Sequence, residues 1–242
     1  MMRRLAAALL TATLSAPPAL ALEAPPQTGT GKPLVVCLGD SLTEGYGLPP
    51  EQAYPALVEK ELRASGYPHI EVVNAGVSGS TSASAVARLK WQLRRKPDIL
   101  LLALGANDGL RGIDLSQTKK NLAEAIDLAK DNGVVVLLAG MLLPPNYGRD
   151  YTQTFQKMYT DLAREKNVAL LPFLLEGVAA DSTKNLPDGV HPNASGYEIV
   201  ARNVTRHLRP LLEGLDASSK LGPGLPLEHF ATHRRKKLEC EA

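Results

Sequence analysis

The chain reads as an α/β protein built on a five-stranded parallel sheet with helices on both faces. Short apolar runs rich in Val, Leu and Ile recur at 33–38, 70–73, 98–104, 134–139 and 168–171. They lack strict polar alternation, as strands buried on both faces do. Amphipathic stretches of helical period separate them, and such alternation implies βαβ units with right-handed crossovers. The 242 residues suit one domain of this kind.

The chain starts with a segment that reads as an address. Met1 to Arg4 is basic, 5–14 is apolar, and Ala19-Leu20-Ala21 offers a small-x-small cleavage site. These are the parts of a secretory signal peptide over 1–21. The apolar run is shorter than the roughly 20 residues a bilayer demands, so no stable membrane insertion is expected. The Pro/Gly-rich 22–32 is a lead-in to a domain over 33–215. The helical pattern of 51–65 lines up Tyr54, Leu57, Val58 and Leu62, and a further helix carries Trp91. The pattern of 116–131 lines up Leu122, Ile126 and Ala129 before Gly133 stops it. That of 151–166 presents Phe155, Met158, Tyr159 and Leu162, and 193–212 presents Ile199, Val200, Val204 and Leu208. Beyond 215 the periodicity gives way to Gly, Pro and Arg234-Arg235-Lys236-Lys237, read as a disordered, solvated tail over 216–242.

Charge and cysteine usage exclude several classes of function. The formal net charge is +2, and it becomes −2 once the leader and the residues from Lys220 onward are set aside. A body so near neutrality is no nucleic-acid binder by bulk electrostatics. Cys37 lies in an apolar run and Cys240 in the tail, which makes neither a disulfide framework nor a metal site. No heptads are present, so a monomer is expected.

The loops at the carboxyl ends of the strands carry the polar residues, where ligands of open parallel sheets bind. The first strand runs into Gly39-Asp40-Ser41-Leu42. A serine there can expose its hydroxyl beside free backbone N–H groups, or simply cap a helix. A serine nucleophile needs a base. Of five histidines, His191 stands apart in Asp188-Gly189-Val190-His191-Pro192, where one turn can bring the Asp188 carboxylate to the imidazole. After the second strand, Asn74-Ala75-Gly76-Val77-Ser78-Gly79-Ser80 lets backbone approach a ligand. After the third, Gly105-Ala106-Asn107-Asp108 offers an amide NH₂. Each feature has a structural alternative, a turn or a cap, but four of them converge on one rim.

This ordered set resembles the SGNH hydrolases, also called the GDSL esterase/lipase family, over about 33–213. The matches are Ser41 in Gly-Asp-Ser-Leu, Gly76 in Asn-Ala-Gly-Val-Ser-Gly, Asn107 in Gly-Ala-Asn-Asp, and Asp188 with His191 in Asp-Gly-Val-His-Pro. Gly105 to Gly112 and Leu143-Pro144-Pro145-Asn146-Tyr147-Gly148 are similar to the bacterial group of acyl-CoA thioesterases, lysophospholipases and arylesterases. The resemblance implies a three-layer α/β/α, flavodoxin-like SGNH hydrolase fold. It implies a triad of Ser41, His191 and Asp188, and an oxyanion hole from the N–H groups of Ser41 and Gly76 and the Asn107 amide. Small acyl esters or thioesters are the implied substrates, in a site touching Asp40, Leu42, Val77, Leu110, Leu142, Leu143, Pro144 and Tyr147. Ile113 and Met141 are further candidates for its apolar wall. No metal or organic cofactor is implied. With the leader, the expectation is a secreted esterase of the bacterial periplasm or medium. The same fold also hosts carbohydrate deacetylases and could serve a non-catalytic secreted binder. The chain's single Trp and three Phe give few aromatic platforms for a saccharide.

Overall fold

The computed structural model describes residues 32–221. The expected leader, most of the lead-in, and the basic cluster with Cys240 lie outside the described residues. The strands are β1 (Leu34–Gly39), β2 (Glu71–Gly76), β3 (Ile99–Ala103), β4 (Val135–Ala139) and β5 (Ala169–Leu171). All pair in parallel in the order β2-β1-β3-β4-β5. The register sets Cys37 opposite Asn74 on one side and Leu101 on the other, so β1 is central. Winding reverses between β1 and β3, and there the loops that follow the two strands part to leave a crevice.

The helices are α1 (Ser41–Glu44), α2 (Tyr54–Ala64), α3 (Ala85–Gln92), α4 (Ala106–Leu110), α5 (Leu115–Asp131), α6 (Arg149–Lys166) and α7 (Ala194–Leu221). One layer is formed by α2 against α7, the other by α5 between α3 and α6. The faces read from periodicity are those that turn inward. Tyr54, Val58 and Leu62 of α2 are buried, as are Leu122, Ile126 and Ala129 of α5 and Phe155, Met158, Tyr159 and Leu162 of α6. Every residue of β3 is buried, as a strand covered by helices on both faces must be. Each such Leu or Ile contributes about 1.5–3 kcal/mol by leaving water.

Element ends follow local chemistry. Asp114 caps α5 by accepting from Ser116 N–H at 2.8 Å, and Gly133 turns the chain out at φ 73°. The last helix runs to Leu221, well past the expected end of periodicity and six residues into the region read as tail. Pro210 lies inside it without ending it.

Candidate active site

Ser41, the candidate nucleophile, is set by one tight turn. β1 ends at Gly39, where a Cβ would stand 1.9 Å from Thr43 Oγ1, so only glycine lets α1 begin at once. Asp40 caps α1, its Oδ1 accepting from Leu42 N–H at 3.0 Å. Ser41 is the first residue of α1, half-buried at the crevice. Below it, Thr43 and Tyr54 share a buried hydroxyl–hydroxyl hydrogen bond of 3.0 Å that anchors α1 to α2.

The base arrives from the far edge of the sheet. A 22-residue connection, 172–193, runs from β5 to α7 and returns to the rim. It is held by an antiparallel bridge between Asn185 and Pro192 and by Leu186 N–H donating to His191 O at 2.7 Å. Within it, Asp188 Oδ1 accepts from Val190 N–H (2.8 Å) and His191 N–H (3.0 Å), which folds the four residues into one turn. That turn leaves Asp188 Oδ2 2.8 Å from His191 Nδ1, and His191 Nε2 2.9 Å from Ser41 Oγ. Burial alone would raise the Asp188 carboxyl. The N–H groups of His191 and Val190 and the imidazole outweigh it and hold the carboxyl down to about 2. An ionised carboxylate can only accept, so Nδ1 carries the hydrogen and Nε2 is left to accept from Ser41. The Tyr46 ring, 4.5 Å from the imidazole centroid to centroid, packs on its open face.

Opposite the base stand hydrogen-bond donors. Gly105, at φ 112°, turns β3 into α4 and brings Asn107 to the rim. Asn107 Nδ2 donates to Ser80 O at 3.0 Å and to Asp40 Oδ2 at 3.3 Å. Gly76 does not take the place expected of it. Its N–H is engaged by Asn74 Oδ1 at 2.9 Å, and it lies beneath α1, where a Cβ would stand 2.1 Å from Glu44 N. Gly79, three residues on, lines the crevice at φ 74°. Its N–H, like that of Ser41, makes no hydrogen bond among the described residues. Gly76 ends β2 and Gly79 lies in the loop that follows, and both the hydrogen-bond pattern and the cavity lining separate them.

A buried carboxylate not singled out from sequence supports this side. Asp108 is 1% exposed and accepts from Ser82 N–H (2.8 Å), Ser82 Oγ (2.5 Å) and Thr118 Oγ1 (3.3 Å). It thereby ties α4 to the loop that carries Gly79. Its place beside Asn107 also suited a helix cap, so the sequence did not reveal the tie.

A cavity of about 670 Å³ opens from Ser41 and His191 and is walled mainly by apolar side chains. Asp40, Leu42, Leu110, Leu142, Leu143 and Pro144 line it, as does Met141. Val77, Tyr147 and Ile113 do not line it. Val77 is 52% exposed, and Tyr147 instead braces the wall from behind, its hydroxyl donating to Leu110 O at 3.0 Å. The far wall, with Phe173, Leu175, Ala179, Ala180 and Val190, comes from the 172–193 connection and was not foreseen. That segment has no period to betray which side faces a ligand.

Residues 37–199 match the model of the GDSL-like lipase/acylhydrolase family. The chain belongs to that family. It is 41% identical over 194 residues to the esterase TesA of Pseudomonas aeruginosa, covering 80% of this chain and 96% of that protein. It is 37% identical over 179 residues to thioesterase 1/protease 1/lysophospholipase L1 of Escherichia coli K12, covering 74% of this chain and 84% of that protein. The crystal structure of TesA superposes with a TM-score of 0.71 at 40% identity, over 74% of this chain and 99% of that one. This GDSL-family chain is therefore an ester-hydrolysing enzyme on the SGNH α/β fold.

Three other side chains that sequence singled out lie away from the GDSL site. His207 sits in α7 with Nδ1 2.8 Å from Asn203 O. Cys37 is fully buried in β1, and burial pushes its thiol up to about 12, far from a reactive thiolate. Trp91 is 65% exposed on α3, with Arg94 stacked 4.5 Å from its ring, and lines no part of the cavity.

Proposed function

We propose that this enzyme hydrolyses carboxylic esters of apolar acyl groups, and thioesters by the same steps, through an acyl-enzyme on Ser41. The observation that carries the reading is the unbroken relay from Ser41 Oγ through His191 to Asp188, at 2.9 and 2.8 Å, opening onto an apolar cavity. His191 Nε2 takes the Ser41 proton as Oγ attacks the acyl carbonyl. The C=O π pair moves onto oxygen, and the tetrahedral oxyanion is met by the N–H groups of Ser41 and Gly79 and by the Asn107 amide. Collapse expels the alkoxide or thiolate, which takes the proton from His191. Water then repeats both steps on the acyl-enzyme and releases the acid. Asp188, already ionised, fixes the tautomer and stabilises the imidazolium.

The wall of Leu110, Met141, Leu142, Leu143 and Pro144 favours an aliphatic acyl chain over a polar sugar. The names of the relatives, esterase and thioesterase/lysophospholipase, support that substrate class. The basic start and apolar run of 1–21 support an exported enzyme. No helix among the described residues is long and apolar enough to cross a membrane. Hydrolysis of p-nitrophenyl esters from acetyl to palmitoyl tests the reading. Turnover with kcat/KM rising beyond the acetyl ester is expected. Turnover of the acetyl ester alone would point to a deacetylase, and none across the series would remove the esterase assignment.

A further inference from the structure

We propose that Glu44 is a positioning residue that fixes the distance between the nucleophile and its oxyanion donor. The inference rests on the acyl-transfer reading above. α1 is a single turn, with Ser41 its first residue and Glu44 its last. Glu44 Oε2 accepts from Ser78 N–H at 2.7 Å and also from the Ser78 hydroxyl. Ser78 directly precedes Gly79, and both line the cavity. The Ser78–Gly79 peptide supplies the N–H assigned to the oxyanion, so the Glu44 carboxylate holds the residue whose carbonyl end carries that donor.

The grip is doubled at the backbone. Asn74 Nδ2 donates to Glu44 O at 3.1 Å, and the same Asn74 engages Gly76 N–H through Oδ1. The helical turn that presents the Ser41 hydroxyl is thus tied at its other end to the loop that presents Gly79. Further ties to that loop come from the end of β1, where Val77 N–H donates to Gly39 O at 3.2 Å, and from α4 and the segment after it. Arg111 Nη2 donates to Gly79 O at 3.1 Å, and Asn107 Nδ2 donates to Ser80 O at 3.0 Å. Glu44 is the one side chain of α1 that bonds to Ser78, and without it Ser78 loses both of its bonds to α1, leaving the loop to the Asn74–Glu44 backbone tie, the Val77–Gly39 bond and the α4 side.

Glu44 is exposed, and an exposed carboxylate left to itself is merely solvated. Here its two charge-assisted bonds converge on one residue, which gives them directional content. Misplacement of a donor by about 1 Å can cost on the order of 100-fold in rate. The loss belongs to the transition state, because the oxyanion forms there.

The test measures kcat, KM and Tm with p-nitrophenyl butyrate for wild type, Ser41→Ala, Glu44→Ala, Glu44→Gln, Ser78→Ala and Asn107→Ala with and without Glu44→Ala. Glu44→Ala is expected to lower kcat roughly 10- to 100-fold, with KM changed less than about twofold and Tm nearly kept. Glu44→Gln, whose amide oxygen can accept both bonds, should recover most of kcat. Ser78→Ala should cost a smaller part of it. In the Asn107→Ala background the Glu44→Ala loss should shrink, because both act on one oxyanion. If Glu44→Ala does not fold, Glu44→Gln and Ser78→Ala decide the matter by the same split of kcat from KM. Wild-type kcat in the folded Glu44→Ala and in Ser78→Ala overturns the proposal and leaves the esterase reading intact. So does a loss that appears in KM and Tm and that Gln does not rescue. Turnover that persists in Ser41→Ala, or its absence from wild type, overturns the reading and the proposal with it.

Discussion

Ser41 and Asn107 follow two different strands, and on the proposed mechanism their replacements should fail differently. Ser41→Ala removes the attacking atom and should leave only residual turnover in a folded protein. Asn107→Ala removes one oxyanion donor and should lower kcat by about 10²–10³, some 3–4 kcal/mol, with Tm little changed. Circular dichroism beside steady-state kinetics checks both. The two glycines separate by the same pair of measurements. Gly76→Ala forces a Cβ onto the Glu44 backbone and should lower Tm sharply. Gly79→Ala meets only the end of the Arg111 side chain at 3.5 Å, but its φ of 74° disfavours a Cβ, so kcat should suffer more than stability. The candidates Ser41, Asn107, Asp188 and His191 were readable from sequence because each sits at a fixed offset from a strand end or a turn. Gly79 was not, because choosing between two glycines three residues apart requires knowing whose N–H is already bonded.

At the scale of elements, period and length decided what could be read. The long helices α5 and α6 show three or more turns of apolar repeat, and their buried faces match that repeat residue by residue. The helices α1 and α4 have four and five residues, too short for any period, yet they carry Ser41 and Asn107. They owe their existence to Gly39, Gly105 and the Asp40 cap. The packing of α6 gives a prediction at this scale. Tyr159 is buried, and its hydroxyl donates to Leu104 O at 3.0 Å, just before the Gly105 turn. Tyr159→Phe leaves that carbonyl without this donor and should cost about 1–2 kcal/mol in urea denaturation. The loss should carry no more than a modest fall in kcat. The 172–193 connection is the counter-case. It supplies both the Asp188–His191 turn, which local spacing revealed, and the far cavity wall, which has no periodic signature.

Across the whole molecule, topology makes the site. The order β2-β1-β3 places the loops after β1, β2 and β3 side by side, so Ser41, Gly79 and Asn107 come to one rim without long excursions. The alternation of strand and helix made that arrangement legible before any contact was known. The same convergence buries a charge. Burial pushes the Asp40 carboxyl up to about 6, although Leu42 N–H, His191 and the Asn107 amide pull it down. A proton is then bound more tightly in the folded than in the unfolded chain. The contribution of Asp40 to stability is therefore most favourable below the ordinary carboxylate range near pH 4 and is lost as pH rises through about 6. Asp40→Asn should remove that slope. The variant's stability relative to wild type should rise between pH 4 and pH 8, by on the order of 2–3 kcal/mol in denaturant titrations.

The central claim, a covalent acyl-enzyme on Ser41, is tested most directly by trapping. The full-length protein is treated with a p-nitrophenyl alkylphosphonate and followed by intact mass and peptide mapping. One adduct per chain on the Ser41 peptide, lost in Ser41→Ala and formed in step with inactivation, is the predicted result. An active enzyme that takes no adduct, or takes it at another residue, would contradict it.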